Sequence, residues 1–121
     1  MTFIDGRYPE VMDRSPALFG TANRTQVLVA VRLLEETWGA ELAALLGLRI
    51  SLVQTILNSF EAEGVLVSRL VGRSRVFSLS ERYVAASELS ALLWKLGSGD
   101  VPLQQKLAAR RRRPRRAGKA L

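Results

Sequence analysis

Two short stretches of helical periodicity, separated only by Gly47, Leu48 and Arg49, limit what this chain can fold into more than any other feature. From about Gly39 to Leu46 the apolar residues Leu42, Leu45 and Leu46 recur at helical spacing, and from Ile50 to Glu63 the residues Val53, Ile56, Leu57 and Phe60 do the same. Gly47 and Gly64 stand just past the two apolar runs, where a glycine supplies the backbone conformation that ends a helix. Two amphipathic helices joined by so tight a turn form a helix-turn-helix. A longer helix is expected before them, from about Asn23 to Glu36, with Val27, Ala30, Val31 and Leu34 on one face and Thr21 or Asn23 as its cap.

After Gly64 the residue types change. Val65-Leu66-Val67-Ser68-Arg69-Leu70-Val71, a Gly72-Arg73-Ser74 turn and Arg75-Val76-Phe77-Ser78-Leu79 read as a β-hairpin. A last helix is expected from about Glu81 to Leu96, with Ala85, Leu89, Leu92 and Leu96 as a narrow apolar seam, Val84, Leu93 and Trp94 widening it, and Gly97-Ser98-Gly99 ending it. Before these elements, Gly6, Pro9, Pro16 and Gly20 punctuate an amino-terminal arm, residues 1–20, with a helical turn near Pro16-Ala17-Leu18-Phe19. The expected division is therefore an arm over 1–20, a domain over 21–96 and a basic, disordered tail over 97–121.

At 121 residues with 48% hydrophobic and 24% charged side chains, the chain has room for one domain with a packed core. It has neither cysteine nor histidine, so disulfides, thiolate metal sites and the commonest general base are excluded. No phosphate loop and no nucleophile with a recognisable base is present, so the chain is not expected to be an enzyme, to hold a cofactor or to bind a transition metal. Residues 1–20 lack a basic leader and an apolar core, and no stretch is apolar for long enough to span a bilayer. A cytoplasmic, nucleoid-associated protein without membrane contact is the expectation. The formal charge of +7 is unevenly spread: residues 97–121 carry eight basic groups and one acidic group, whereas residues 21–96 carry eight and seven.

The order helix, helix, turn, helix, hairpin, helix is that of a winged helix-turn-helix, a mainly α fold of α+β character with a two-stranded wing. From about Leu18 to Leu96 the chain resembles the ArsR-type winged helix repressors. The likeness rests on element order and on two strings, Glu41-Leu42-Ala43-Ala44-Leu45-Leu46-Gly47-Leu48 and Glu63-Gly64-Val65-Leu66 through Gly72-Arg73 to Phe77-Ser78-Leu79. MarR-type and other winged helix regulators share much of it. The resemblance implies a dimeric repressor of double-stranded DNA. Where ArsR-type metal sensors carry a cysteine-rich box, this chain has Glu36-Thr37-Trp38-Gly39-Ala40-Glu41-Leu42-Ala43, so metal sensing there is excluded. Glu81 and Glu88 stand on the last helix without a histidine.

On a helical wheel the face opposite Val53, Ile56, Leu57 and Phe60 consists of Ser51, Thr55, Asn58 and Ala62, with Gln54 on its flank. Gln and Asn can pair bidentately with adenine and Thr offers a methyl to thymine. Arg49, Ser51, Gln54, Thr55 and Asn58 are accordingly the candidate recognition residues. Ile50 and Leu52 fall toward the edges of the core face, and Ser51 is an alternative cap that would start this helix later. In the hairpin, Arg69, Arg73, Ser74 and Arg75 are candidate wing contacts, Arg73 foremost because the family's hairpin tip reaches the minor groove. An edge strand protected by charge is the rival account of these arginines. Arg110, Arg111, Arg112, Arg113, Arg115 and Arg116 are candidates for sequence-independent phosphate contacts, or form a solvated basic linker or localisation signal. On the last helix Leu89, Leu92, Leu93 and Leu96 are candidates for a dimer interface, or for packing within one chain. Three functions compete: sequence-specific regulation, an architectural or partition-type role with little sequence preference, and a protein-docking module.

Overall fold

The computed structural model describes residues 17–112. The elements are α1 (Ala22–Leu34), α2 (Gly39–Leu46), α3 (Ile50–Ala62), β1 (Leu66–Val71), β2 (Ser74–Leu79), α4 (Ala86–Ser98) and α5 (Val101–Arg112). This is a winged helix-turn-helix with a helical hairpin, α4 and α5, added at its carboxyl end. The expected arm lies outside the described residues up to Pro16. Its last residues form a single turn, in which Gly20 N–H donates to the Ala17 carbonyl at 3.2 Å.

Thr21 is the cap of α1, its hydroxyl accepting from Arg24 N–H at 3.0 Å. The apolar stripe expected on α1 is wider than a stripe. Thr25 and every residue from Val27 to Val31 are buried, because α2, α3 and β2 cover one side of the helix and α4 covers another. Buried Thr25 satisfies its hydroxyl by donating to the Thr21 carbonyl and accepting from Phe19 N–H.

The helix ends abruptly at Glu35. Its φ of 71° and ψ of −49°, with Glu36 N–H donating to the Leu34 carbonyl at 2.8 Å, make the rare, strained form of the γ-turn. This reversal brings Thr37 alongside Phe77, and the two exchange backbone hydrogen bonds at 3.1 and 2.7 Å as an antiparallel bridge. A glycine would hold the Glu35 conformation without steric opposition. Glu35→Gly is expected to raise stability by about 1 kcal/mol, read as a higher urea midpoint with an unchanged slope.

The helix-turn-helix has the boundaries its periodicity predicts. Gly47, at φ 68° and ψ 34°, turns the chain between α2 and α3, a conformation a β-carbon would oppose. Helix α3 begins at Ile50 with Arg49 as an extended cap, so Ser51 lies inside the first turn and does not cap. The hairpin pairs Leu66 with Leu79 through to Val71 with Ser74, and its two-residue loop has Gly72 at φ 63° in the first central position, as a type II′ turn requires.

Two expectations for the carboxyl end are corrected. The last helix of the domain starts at Ala86 instead of Glu81, because Ser80 organises the preceding residues into turns: its hydroxyl accepts from Arg82 N–H, its backbone N–H donates to the Val65 carbonyl, and its carbonyl accepts from Tyr83 N–H. This helix ends within the expected Gly97-Ser98-Gly99 stop, at Ser98 with Gly99 as its cap, and Gly97 is itself helical. It lies buried within α4, where a β-carbon would sit 2.8 Å from a Leu33 methyl, so its lack of a side chain lets α4 press against α1. The segment expected to be a disordered tail folds from Val101 to Arg112. Asp100 caps α5 by accepting from Leu103 N–H, the Gln104 side chain donates to the Gly97 carbonyl, and Leu103 and Leu107 are buried in the core. Burial of those two leucines contributes toward the backbone entropy of ordering the segment, a contribution that a purely basic segment lacks.

Candidate nucleic-acid interface

Helix α3 divides cleanly between two environments. Val53, Ile56, Leu57 and Phe60 are buried, while Ser51, Gln54, Thr55 and Asn58 are exposed along the opposite side, with Arg49 exposed just before them. Leu52 is half-buried against the core, but Ile50 is 50% exposed at the start of the helix. The exposed row carries no charge. Thr55 donates its hydroxyl to the Ser51 carbonyl at 3.0 Å, so its donor is used within the helix and its methyl is the group left for outside contact.

Gln54 is set by packing against α2. A β-carbon at Gly39, the first residue of α2, would lie 2.4 Å from the Gln54 amide nitrogen. The amide therefore rests on the bare backbone at the start of α2, a detail no periodicity announces. Gly39→Ala is expected to swing the Gln54 amide away while leaving stability within about 1 kcal/mol, because the obstructing atom is the far end of a flexible side chain. Thermal unfolding is the readout, and a fall in Tm of more than about 8 °C would contradict it.

Helix α3 is held in place by Arg24 of α1, which sequence reading missed. Its guanidinium lies 4.1 Å from the centre of the Phe60 ring, donates to the Ser59 hydroxyl at 3.0 Å and to the Phe19 carbonyl at 2.7 Å, and stands 3.8 Å from a Glu63 carboxylate oxygen. Its signal was an arginine in the first turn of the helix, four residues before buried Leu28.

The hairpin arginines do not form one cluster. In the observed register Arg69 faces the same side as Val76, and Arg75 the same side as Leu70 and Phe77, so the two lie on opposite faces of the ribbon. Arg69 donates to both carboxylate oxygens of Glu36 at 3.0 Å. Arg75 donates to the Ser68 hydroxyl at 2.9 Å, and Ser68 donates in turn to Glu61 of α3. Both are engaged with the body of the domain. Arg73 and Ser74 are exposed at the tip, and among the described residues Arg73 makes no ion pair.

Arg110 is likewise engaged. It forms an ion pair with Glu41 in the first turn of α2, whose other carboxylate oxygen accepts the Thr37 hydroxyl at 2.6 Å. The side chains of Arg111 and Arg112, and residues Arg113, Arg115 and Arg116 altogether, lie outside the described residues.

The leucine seam of α4 is also corrected. Leu93 is fully buried, and Leu89 and Leu96 are half-buried against the same core, so the seam packs onto α1 of its own chain. The spacing Leu89, Leu93, Leu96 selects the inward face, one residue round from the seam expected. Leu92 and Trp94 remain 41% and 52% exposed, Trp94 with the Arg32 guanidinium 4.9 Å from its ring centre. An open cleft of about 640 Å³ separates the end of α1 from β2 and α4 and is lined by Arg32, Glu35, Glu36, Ser78, Glu81 and Ser90 among others. Among the described residues no three acidic side chains stand close enough together to hold a metal ion, and no helix is long and apolar enough to cross a membrane.

No family model matches the chain, and no curated protein matches its sequence. Solved structures do resemble it. The antimony-specific transcriptional repressor AntR superimposes with a TM-score of 0.53 over 92% of this chain and 87% of its own, at 14% identity. A mutant of MarR from E. coli gives 0.56 over 91% and 86%, at 18% identity, and a mutant of ZitR from Lactococcus lactis gives 0.50 over 85% and 75%, at 18% identity. At such identities the likeness establishes the winged helix fold, reached by several kinds of regulator and not by ArsR-type proteins in particular.

Proposed function

We propose that this chain is a sequence-specific, double-stranded DNA-binding transcriptional regulator that acts as a dimeric repressor in the cytoplasm. The observation that carries the reading is the row Ser51, Gln54, Thr55 and Asn58. These are short, uncharged, hydrogen-bonding side chains exposed along one side of the second helix of a helix-turn-helix whose other side is wholly committed to the core. A surface kept only for solubility is ordinarily charged, and this one is not. Arg49 and the tip residues Arg73 and Ser74 flank it as backbone or minor-groove contacts, whereas Arg69 and Arg75 brace the wing and act indirectly. The ArsR-type resemblance enters on the strings 41–48 and 63–79 alone, and the repressors and regulators of similar fold support the broader class.

For pairing, Leu92 and Trp94 replace the seam: they are the apolar side chains that α4 leaves outside its own core. Two copies joined there would present two α3 helices to half-sites one DNA turn apart.

Selection from a random duplex pool tests the reading. Enrichment of a short inverted repeat is expected. Recovery of unenriched sequence, with equal affinity for every duplex, would overturn it in favour of an architectural role, and no binding to any duplex would favour protein docking.

A further inference from the structure

Gln54, Asn58 and Glu61 follow one another at i, i+4 and i+7, so they lie along one flank of α3. Gln54 and Asn58 are exposed and uncharged, whereas Glu61 is half-buried and charged, at the end of α3 that meets β1. A free carboxylate there would repel a phosphate backbone. The Glu61 carboxylate instead accepts the Ser68 hydroxyl of β1, and that same hydroxyl oxygen accepts from the Arg75 guanidinium of β2 at 2.9 Å. The guanidinium thus compensates the carboxylate through one shared oxygen.

Ser68 stands opposite Phe77 in the hairpin register, and Phe77 is bridged along its other edge to Thr37. One tie alone would leave the ribbon free to tilt about it. The second tie, through Ser68, holds the neighbouring strand at the same level from α3, and Arg75 carries it two residues toward the tip. The Arg69–Glu36 pair on the opposite face is a weaker brace, since its side chains are 60% and 54% exposed and their attraction is screened. We propose that Glu61 is a positioning residue that sets specificity: through Ser68 and Arg75 it fixes the angle of the wing, so that Arg73 meets the duplex at a set distance from the bases α3 reads. This rests on the DNA-binding reading above. The spacing between the two contacts then becomes part of what the protein recognises, beside the bases under α3.

The test is a double-mutant cycle in the full chain, with affinity for the selected site and for random duplex measured at fixed salt. Arg73→Ala is expected to lower the affinity of the parent for the selected site by roughly 5-fold or more. In the Ser68→Ala and Glu61→Ala backgrounds, where the tip is no longer aimed, the same change is expected to cost less than about 2-fold. Glu61→Gln keeps an oxygen that accepts from Ser68 and is expected to restore the larger loss. Thermal unfolding checks that each variant is folded at the assay temperature, and Ser68→Ala, which loses only a hydroxyl, carries the test if Glu61→Ala does not fold.

A Glu61 that served stability alone would leave the Arg73→Ala loss the same in every background. That result overturns the inference and leaves the reading of α3 intact, as does an Arg73→Ala variant that binds like the parent. A uniform gain of affinity in both Glu61→Ala and Glu61→Gln also overturns it, because Glu61 would then act on DNA by repulsion alone. No preference of the parent chain for any duplex overturns the DNA-binding reading and the inference with it.

Discussion

Phe77→Ala is expected to lower the unfolding free energy by about 3 to 5 kcal/mol, enough to leave much of the protein unfolded at 37 °C. Phe77 is fully buried and is the largest side chain so enclosed. It fills the angle between the ribbon, α1 and the strand-like residue Thr37, and its backbone exchanges both hydrogen bonds with Thr37. Truncation removes the transfer free energy of the ring and leaves a hole that cannot close, since the surrounding groups are tied to one another by the bridge and the hairpin ladder. Phe77→Leu keeps most of the volume and is expected to lose less than half as much. Urea unfolding followed by circular dichroism measures both, and a loss under about 1.5 kcal/mol for the alanine variant would contradict this account of the core.

The second large effect concerns DNA. Gln54→Ala and Asn58→Ala are each expected to reduce discrimination between the selected site and random duplex by about 1 to 3 kcal/mol, a factor of roughly 5 to 150, while changing stability by no more than about 0.5 kcal/mol. Both side chains are exposed, and neither makes a contact that closes the core. Thr55→Val is the control. It keeps the methyl and removes a hydroxyl already spent on the Ser51 carbonyl, so little loss of discrimination is expected. Competition binding at fixed salt reports all three. If both alanine variants discriminate as well as the parent chain, α3 does not read bases.

Helices α2 and α3 and the hairpin were legible because their signals are local. Apolar residues at helical spacing, a glycine at the turn and alternating β-type residues each settle a few neighbouring backbone angles. What escaped depends on contacts between distant residues. Nothing near Leu28 and Val29 shows that α4 will cover them. The arginines of α5 drew attention to charge, and the helix signals before them, Asp100 as a cap and Leu103 with Leu107 one turn apart, went unread. The outward row of α3 followed from the wheel. The fate of Arg69, Arg75 and Arg110 did not, because an arginine beside its own neighbours looks the same whether a carboxylate arrives from another element or DNA does. Glu36, Glu61 and Glu41 were the missing half of that information.

The single rung between Thr37 and Phe77 also limits how the proposed regulator could be switched. With the ribbon latched to the loop that enters α2, and Arg75 latched through Ser68 to α3, the wing has no hinge of its own at the base. Wing and α3 are thereby tied into one body. In the dimer proposed above, a small molecule that loosened a grip on DNA is expected to change the distance between the two copies, since bending either copy at the base of its wing would first break that rung.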